Sequence, residues 1–191
     1  MMESKSVAVP LAYARLLWGL ASGPNVRLKN TAGMVVAYSI LVIIADGVKC
    51  ADPTSPAERF DKVVANDRVI LKNAAQLPRI ASDSEPDTRD VVIATATSLE
   101  AKTVTVRGND DYLCRAGAQS FQDYFKKHGN EGVVERPPKP GEVGKQMVVP
   151  EDPSYVPQFL PKEKWLPLQE KARANFSTFL PNLFDKLATV P

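Results

Sequence analysis

The longest unbroken apolar run is residues 31–48, TAGMVVAYSILVIIADGV, which carries no charge from Thr31 to Ala45. Met34, Val35, Val36, Ile40, Leu41, Val42, Ile43 and Ile44 would point all round a helix axis. A surface helix of a soluble domain shows a polar face instead. Residues 32–48 as helix reach about 25 Å, near the short end of what a hydrocarbon core of about 30 Å needs. Arg27 and Lys29 precede the run, and Asp46, Lys49 and Asp52 close it. Long flanking cations can snorkel to make up the length. The pattern predicts a transmembrane helix over residues 31–49, with Asp46 at headgroup level and a buried functional carboxylate as the rival reading of that residue. A signal segment and a buried helix of a soluble core are the rival readings.

Upstream, residues 10–22 read PLAYARLLWGLAS. Proline suits a first helical turn, and Gly23-Pro24 ends the segment. Tyr13 and Trp18 favour a lipid–water interface, so a short helix on or dipping into a membrane is expected, with packing against a partner as its rival. Residues 1–30 hold Lys5, Arg15, Arg27 and Lys29 against Glu3. This acid-poor stretch has a mitochondrial flavour and places the N-terminus on the cytosolic or matrix side. Gly19 with Gly23, and Gly33 with Ala37, are small-residue pairs of the kind that let helices approach closely.

Downstream the pattern turns amphipathic. Ser55-Pro56-Ala57-Glu58 matches a capping box, and Phe60, Val63, Val64, Ile70, Leu71 and Ala74 follow at helical spacing. One helix over residues 56–76 is predicted. Residues 91–97 (VVIATAT) and 103–107 (TVTVR) are rich in β-branched side chains. They suggest a small β-hairpin, with a helix over 91–102 as the alternative. Asp110 or Asp111 should cap a helix running to Lys127, with Gly129 as its stop. Residues 168–180 and 183–187 predict two C-terminal amphipathic helices, with Leu168, Ala172, Phe176, Phe179 and Leu180 on the first apolar face and Pro181 as the interruption.

Residues 137–167 hold eight of the sixteen prolines. Proline removes donors and breaks regular structure. Yet Met147, Val148, Val149, Tyr155, Val156, Phe159, Leu160, Trp165 and Leu166 lie among them, more large apolar groups than a solvated linker carries. An extended arm is predicted, laid along neighbouring subunits with Tyr155, Phe159 and Trp165 as anchors.

The fold class expected is therefore mainly α: a single transmembrane helix with an N-terminal interfacial helix, amphipathic helices, a small hairpin and a proline-rich extended arm. The divisions are a membrane-surface segment (1–30), the span (31–49), a small helical or mixed domain (51–136), the arm (137–167) and C-terminal helices (168–191).

Composition narrows the chemistry. A net charge of +2 offers no basic stripe for nucleic acid. Cys50 and Cys114 are too far apart for a zinc motif, and a disulfide between them cannot be inferred from spacing. His128 is the sole histidine, which excludes HExxH sites and Ser–His triads within one chain. The segment Gly141–Gln146 glances at a phosphate loop but has Lys139 where the first glycine belongs and Gln146 where a hydroxyl should bind magnesium. Asn175-Phe176-Ser177 is a glycosylation sequon within an expected helix. No catalytic, cofactor-binding or metal-ligating residue is assigned, and no cofactor is expected.

The whole chain resembles, in type and not through any motif, accessory subunits of mitochondrial membrane complexes. That resemblance implies a non-catalytic structural or assembly subunit, such as one of an inner-membrane ATP synthase or respiratory complex. Its partners would be other subunits and the bilayer, with residues 51–191 in the intermembrane space. The alternative is a single-span secretory-pathway protein with a lumenal binding domain.

Overall fold

The apolar run lies inside α2 (Val26–Gly47), which Asn25 caps by accepting from the Leu28 N–H. The computed structural model describes residues 6–21, 25–80, 87–115, 117–138, 146–150, 152 and 154–189. Among them α2 is the one helix long and apolar enough to cross a membrane. It is also the axle of the molecule. Thirteen of its 22 residues are buried, covered by α1 (Ala8–Leu20), α3 (Thr54–Asn66), α4 (Arg68–Ala75), α5 (Arg89–Thr103) and α8 (Lys162–Ala174). The all-round apolarity of residues 31–45 thus matches a helix whose surroundings are largely other helices of its own chain.

α1 lays Leu11, Ala14 and Leu17 on α2. Gly33 lets α4 come close, since a Cβ there would lie 2.6 Å from the Ala74 Cβ. The small-residue position therefore does mark a helix–helix approach. Gly19 has nothing within 4 Å of an added Cβ, and its companion Gly23 lies outside the described residues. Gly33→Ala is expected to cost about 1–3 kcal/mol, because both colliding carbons are fixed to backbone and the helices must part. Gly19→Ala should instead be neutral or stabilise by up to about 1 kcal/mol. Urea unfolding of the two variants checks the contrast.

The helix predicted over 56–76 is two helices, α3 and α4, broken at Asp67. The carboxylate there accepts from Nε and Nη2 of Arg15, each at 2.8 Å, and so ties the joint to α1. Ser55 is not the cap. Its hydroxyl donates to the Leu113 carbonyl, while Asp52 Oδ1 accepts from the Thr54 N–H. Asp52 Oδ2 accepts from the Gln119 N–H, so one buried carboxylate serves the starts of α3 and α7 (Ala118–His128).

No hairpin forms over 91–107: residues 91–103 lie in α5 and residues 104–106 form a turn after it. Thr88 caps α5 by accepting from the Val91 N–H. Val92, Ala96, Glu100 and Thr103 fall on one face and are buried. Burial at helical spacing against α2 outweighs the weak β preference of the valines and threonines. A two-stranded sheet occurs elsewhere, where β1 (Val134–Arg136) pairs antiparallel with β2 (Gln146–Val148) and Val134 faces Val148.

Asp110 does cap a helix, accepting from the Tyr112 N–H at the start of α6 (Asp111–Cys114). The expected single helix to Lys127 is interrupted by Gly117 at φ +112°, where any Cβ would meet Asp52, Thr54 and Ser55 at 2.7 Å. α7 then stops at Gly129, at φ +59°.

The C-terminal helices are α8 and α9 (Phe176–Thr189), and they do not divide as expected. Pro181 sits inside α9, and Trp165 and Pro167 sit inside α8. Phe176, Leu180, Phe184 and Leu187 form the buried stripe. Leu168 is exposed and Gln169 buried. Residues 139–145, 151 and 153 of the arm lie outside the described residues. In the remainder, the Ala51 N–H donates to the Gln158 carbonyl and the Leu160 N–H to the Lys49 carbonyl. Phe159 thereby docks against Cys50, so this part of the arm packs on its own chain.

Candidate functional site

Charged side chains converge at the C-terminal end of α2, where the sequence predicts a headgroup-level aspartate. Asp46 is instead inside the protein, 3% exposed. Its Oδ1 lies 3.0 Å from Lys49 Nζ and accepts from Gln169 Nε2 at 2.9 Å, and its Oδ2 accepts from Arg107 Nε at 2.6 Å. Arg107 then donates through Nη2 to Glu100 Oε1 at 2.6 Å and through Nη1 to the Thr103 hydroxyl. Glu100 Oε2 accepts from Arg173 Nε at 2.9 Å. The chain of charge is Lys49, Asp46, Arg107, Glu100, Arg173, alternating in sign.

The backbone explains the meeting. Asp46 and Lys49 are one helical turn apart at the end of α2. Glu100 lies on the buried face of α5, and Arg107 follows where the chain leaves that helix. Gln169 and Arg173 lie one turn apart on α8. Lys49 Nζ also donates to the Arg107 and Gly108 carbonyls and sits 5.1 Å from the Trp165 ring centre. Burial alone would pull the Arg107 pKa down. The neighbouring Asp46 and Glu100 carboxylates outweigh it and hold the pKa above its ordinary value.

Chemically, this arrangement is a clamp. Both carboxylates are spent on cations and hydrogen bonds, and Lys49 has partners for all three donors. A buried pair is maintained only when such partners satisfy both ions. Cys50 and Cys114 form a disulfide beside it, Cα–Cα 5.3 Å, which links the end of α2 to α6. Of the charged members only Asp46 stands out in the sequence, and the burial seen here is its rival reading rather than the headgroup position expected. The signal lay in a Glu and a Gln falling on buried helix stripes where an apolar residue would be ordinary.

Two concavities flank the clamp. A groove of about 660 Å³ runs between α2, α3, α8 and α9, walled by Ile43, Ile44, Phe60, Leu168, Phe176 and Phe179. A smaller pocket of about 280 Å³ lies between α1, α2 and α5. The outward side of α1 is largely apolar: Val9, Tyr13, Leu16 and Leu20 are 45%, 39%, 57% and 61% exposed, and the half-exposed Arg15 among them reaches to Asp67.

The sequence-predicted anchors separate. Phe159 docks beside the disulfide, Trp165 covers Lys49 from α8, and Tyr155 is half-buried near α7. The His128 ring lies 4.8 Å from the Tyr124 ring, tilted by 38°, and faces Asp152. The Ser154 hydroxyl and N–H, with help from Lys127, hold the Asp152 carboxyl down to about 2. Gly141–Lys145 lie outside the described residues. Asn175 is exposed at the α8–α9 joint, with its amide donating to the Lys171 carbonyl. Among the described residues no group of three His, Cys, Asp or Glu side chains is arranged to hold a metal. No family model, curated protein or solved structure matches the chain.

Proposed function

We propose that this chain is a non-catalytic accessory subunit of a multi-subunit membrane assembly, of the kind built into mitochondrial inner-membrane ATP synthases and respiratory complexes. The observation that carries the reading is the outward face of α1. Val9, Tyr13, Leu16 and Leu20 recur at helical spacing and remain well exposed in the described structure, and no acid lies in α1. A helix of this kind lies in a bilayer interface or against an apolar neighbour. The Cys50–Cys114 disulfide supports an oxidising compartment such as the intermembrane space.

The reading attaches the protein through α1 and leaves α2 in the core, because α2 would have to leave α4 and α5 to enter lipid. A crossing by α2, with the N-terminus in the matrix and residues 51–191 in the intermembrane space, is the geometry it competes with. Alkaline carbonate separates the two. A protein held by α1 washes off, whereas one that spans by α2 stays with the membrane.

Leu16→Asp with Leu20→Asp is expected to weaken flotation of the full chain with anionic vesicles by about tenfold or more, since two half-exposed leucines lose their transfer energy. The circular dichroism should not change. If the wild type neither floats nor co-purifies with a membrane complex in mild detergent, the accessory-subunit reading fails.

A second reading, a secretory-pathway protein with a lumenal binding domain, is favoured by the disulfide together with exposed Asn175. A mobility shift on glycosidase treatment of the native protein would select it.

A further inference from the structure

α1 and α2 run antiparallel. Lys29 Nζ, near the start of α2, lies 5.8 Å from the ring centre of Trp18, near the end of α1. At the opposite end Val9 of α1 and Val42 of α2 wall the same pocket. Leu16 and Leu20 in the last turns of α1 and Val26 at the start of α2 therefore stand at one end of the pair. They are 57%, 61% and 40% exposed.

The charge in this part of the chain has one sign. Residues 4–45 hold Lys5, Arg15, Arg27 and Lys29 and neither Asp nor Glu. Carboxylates reach the two helices from elsewhere in the fold and take inward partners. Asp67 is buried and matches Arg15. Asp110 is buried at the Val7 N–H, at the other end of α1. Asp87 accepts from the amide of buried Asn30. Arg27 is exposed, and Lys29 is half-buried beside Trp18. The apolar end of the pair thus carries two cations at its edge.

We propose that this end of the α1–α2 pair docks on an anionic bilayer surface. Leu16, Leu20 and Val26 enter the boundary between headgroups and acyl chains, and Arg27 and Lys29 meet lipid phosphates. The proposal rests on attachment through α1 and adds the lipid class and the residues that select it. Three features match such a surface. Exposed leucines on a helix supply the apolar contact. Trp18 suits the headgroup level. The long stems of Arg27 and Lys29 let their charges stay in water while the leucines go deeper. An apolar protein partner would need its own carboxylate opposite each cation, whereas an anionic leaflet offers phosphates wherever the cations land.

The test floats the full chain with two kinds of vesicle, one of phosphatidylcholine alone and one with about a third phosphatidylglycerol. Two cations near an anionic surface should tighten binding to the second by about thirtyfold at low salt, and high salt should remove most of that gain. Arg27→Gln with Lys29→Gln should reduce the preference to a few-fold and leave binding to phosphatidylcholine unchanged. Lys126→Gln with Lys164→Gln makes the same change of charge at exposed positions on α7 and α8 and should keep the preference. Should the first variant fail to fold, the wild type still decides through the two vesicles and the salt series. Equal binding to both vesicles overturns the proposal, as does a preference that survives Arg27→Gln with Lys29→Gln or falls equally in both double variants. Binding to neither vesicle by a chain that still co-purifies with a membrane complex also overturns it and leaves the accessory-subunit reading standing. Failure of both would remove the two together.

Discussion

Asp46→Ala is expected to destabilise the fold by about 3–5 kcal/mol, the cost of leaving buried cations without their counter-charge. Lys49 is 2% exposed and pairs with no other carboxylate among the described residues, while Arg107 retains Glu100. Gln169 Nε2 loses its closer acceptor and keeps the Ala45 carbonyl at 3.2 Å. Ordinary domains have about 5–15 kcal/mol in all, so the variant should unfold at a much lower urea concentration. The pair Lys62–Glu58 supplies the control. It lies at the surface of α3, with the lysine side chain 52% and the glutamate 27% exposed, and Glu58→Ala should change stability by less than about 1 kcal/mol. Asp46→Leu combined with Lys49→Met should recover much of the loss, because apolar residues can replace a buried pair when both ions go. If Asp46→Ala costs no more than Glu58→Ala, the cluster is not the clamp described above.

Reduction of Cys50–Cys114 should cost a similar amount by a different route. The bridge closes a loop of 64 residues in the unfolded chain. Chain entropy puts such a closure at about 4 kcal/mol. For a protein of this size that corresponds to a melting temperature lower by about 8–16 °C. Cys50→Ser with Cys114→Ser should match the reduced wild type, since both act on the unfolded ensemble. The folded state has its own hold on the same place, through the hydrogen bonds from Ala51 to Gln158 and from Leu160 to Lys49. The variant should therefore remain helical at room temperature. Quantitative alkylation of both cysteines in native, unreduced protein would show that the bridge does not form. With the bridge formed, part of the fold's stability depends on its staying oxidised.

Several elements were legible in the order of residues alone. The apolar run of residues 31–45 marks a helix, Asp110 marks a helix start, Gly129 marks a stop, and Gly33 marks a close approach. Each is a local matter of period, capping or the space a Cβ needs. The length rule for a membrane span uses the same local facts, and so it could not separate a helix in lipid from one wrapped by its own chain. The hairpin proposed for residues 91–107 shows the same limit from the other side. β-branched residues prefer strands by about 1 kcal/mol at most, and packing Val92 and Ala96 onto α2 outweighs that.

By itself, then, the sequence determined that the chain is mainly helical, that one helix is apolar on all sides, and that its chemistry offers no histidine-based centre. The tertiary structure decided the rest. It placed Asp46 inside rather than at a headgroup, exposed Leu168 while burying Gln169, and broke a helix at Asp67 to meet Arg15. The physical reason is the distance along the chain over which charges find their partners. Asp46 meets Arg107 61 residues away and Gln169 123 residues away. A buried charge is tolerable only with its counter-charge in place. No window of neighbouring residues holds that information, whereas helical periodicity is complete within a few turns.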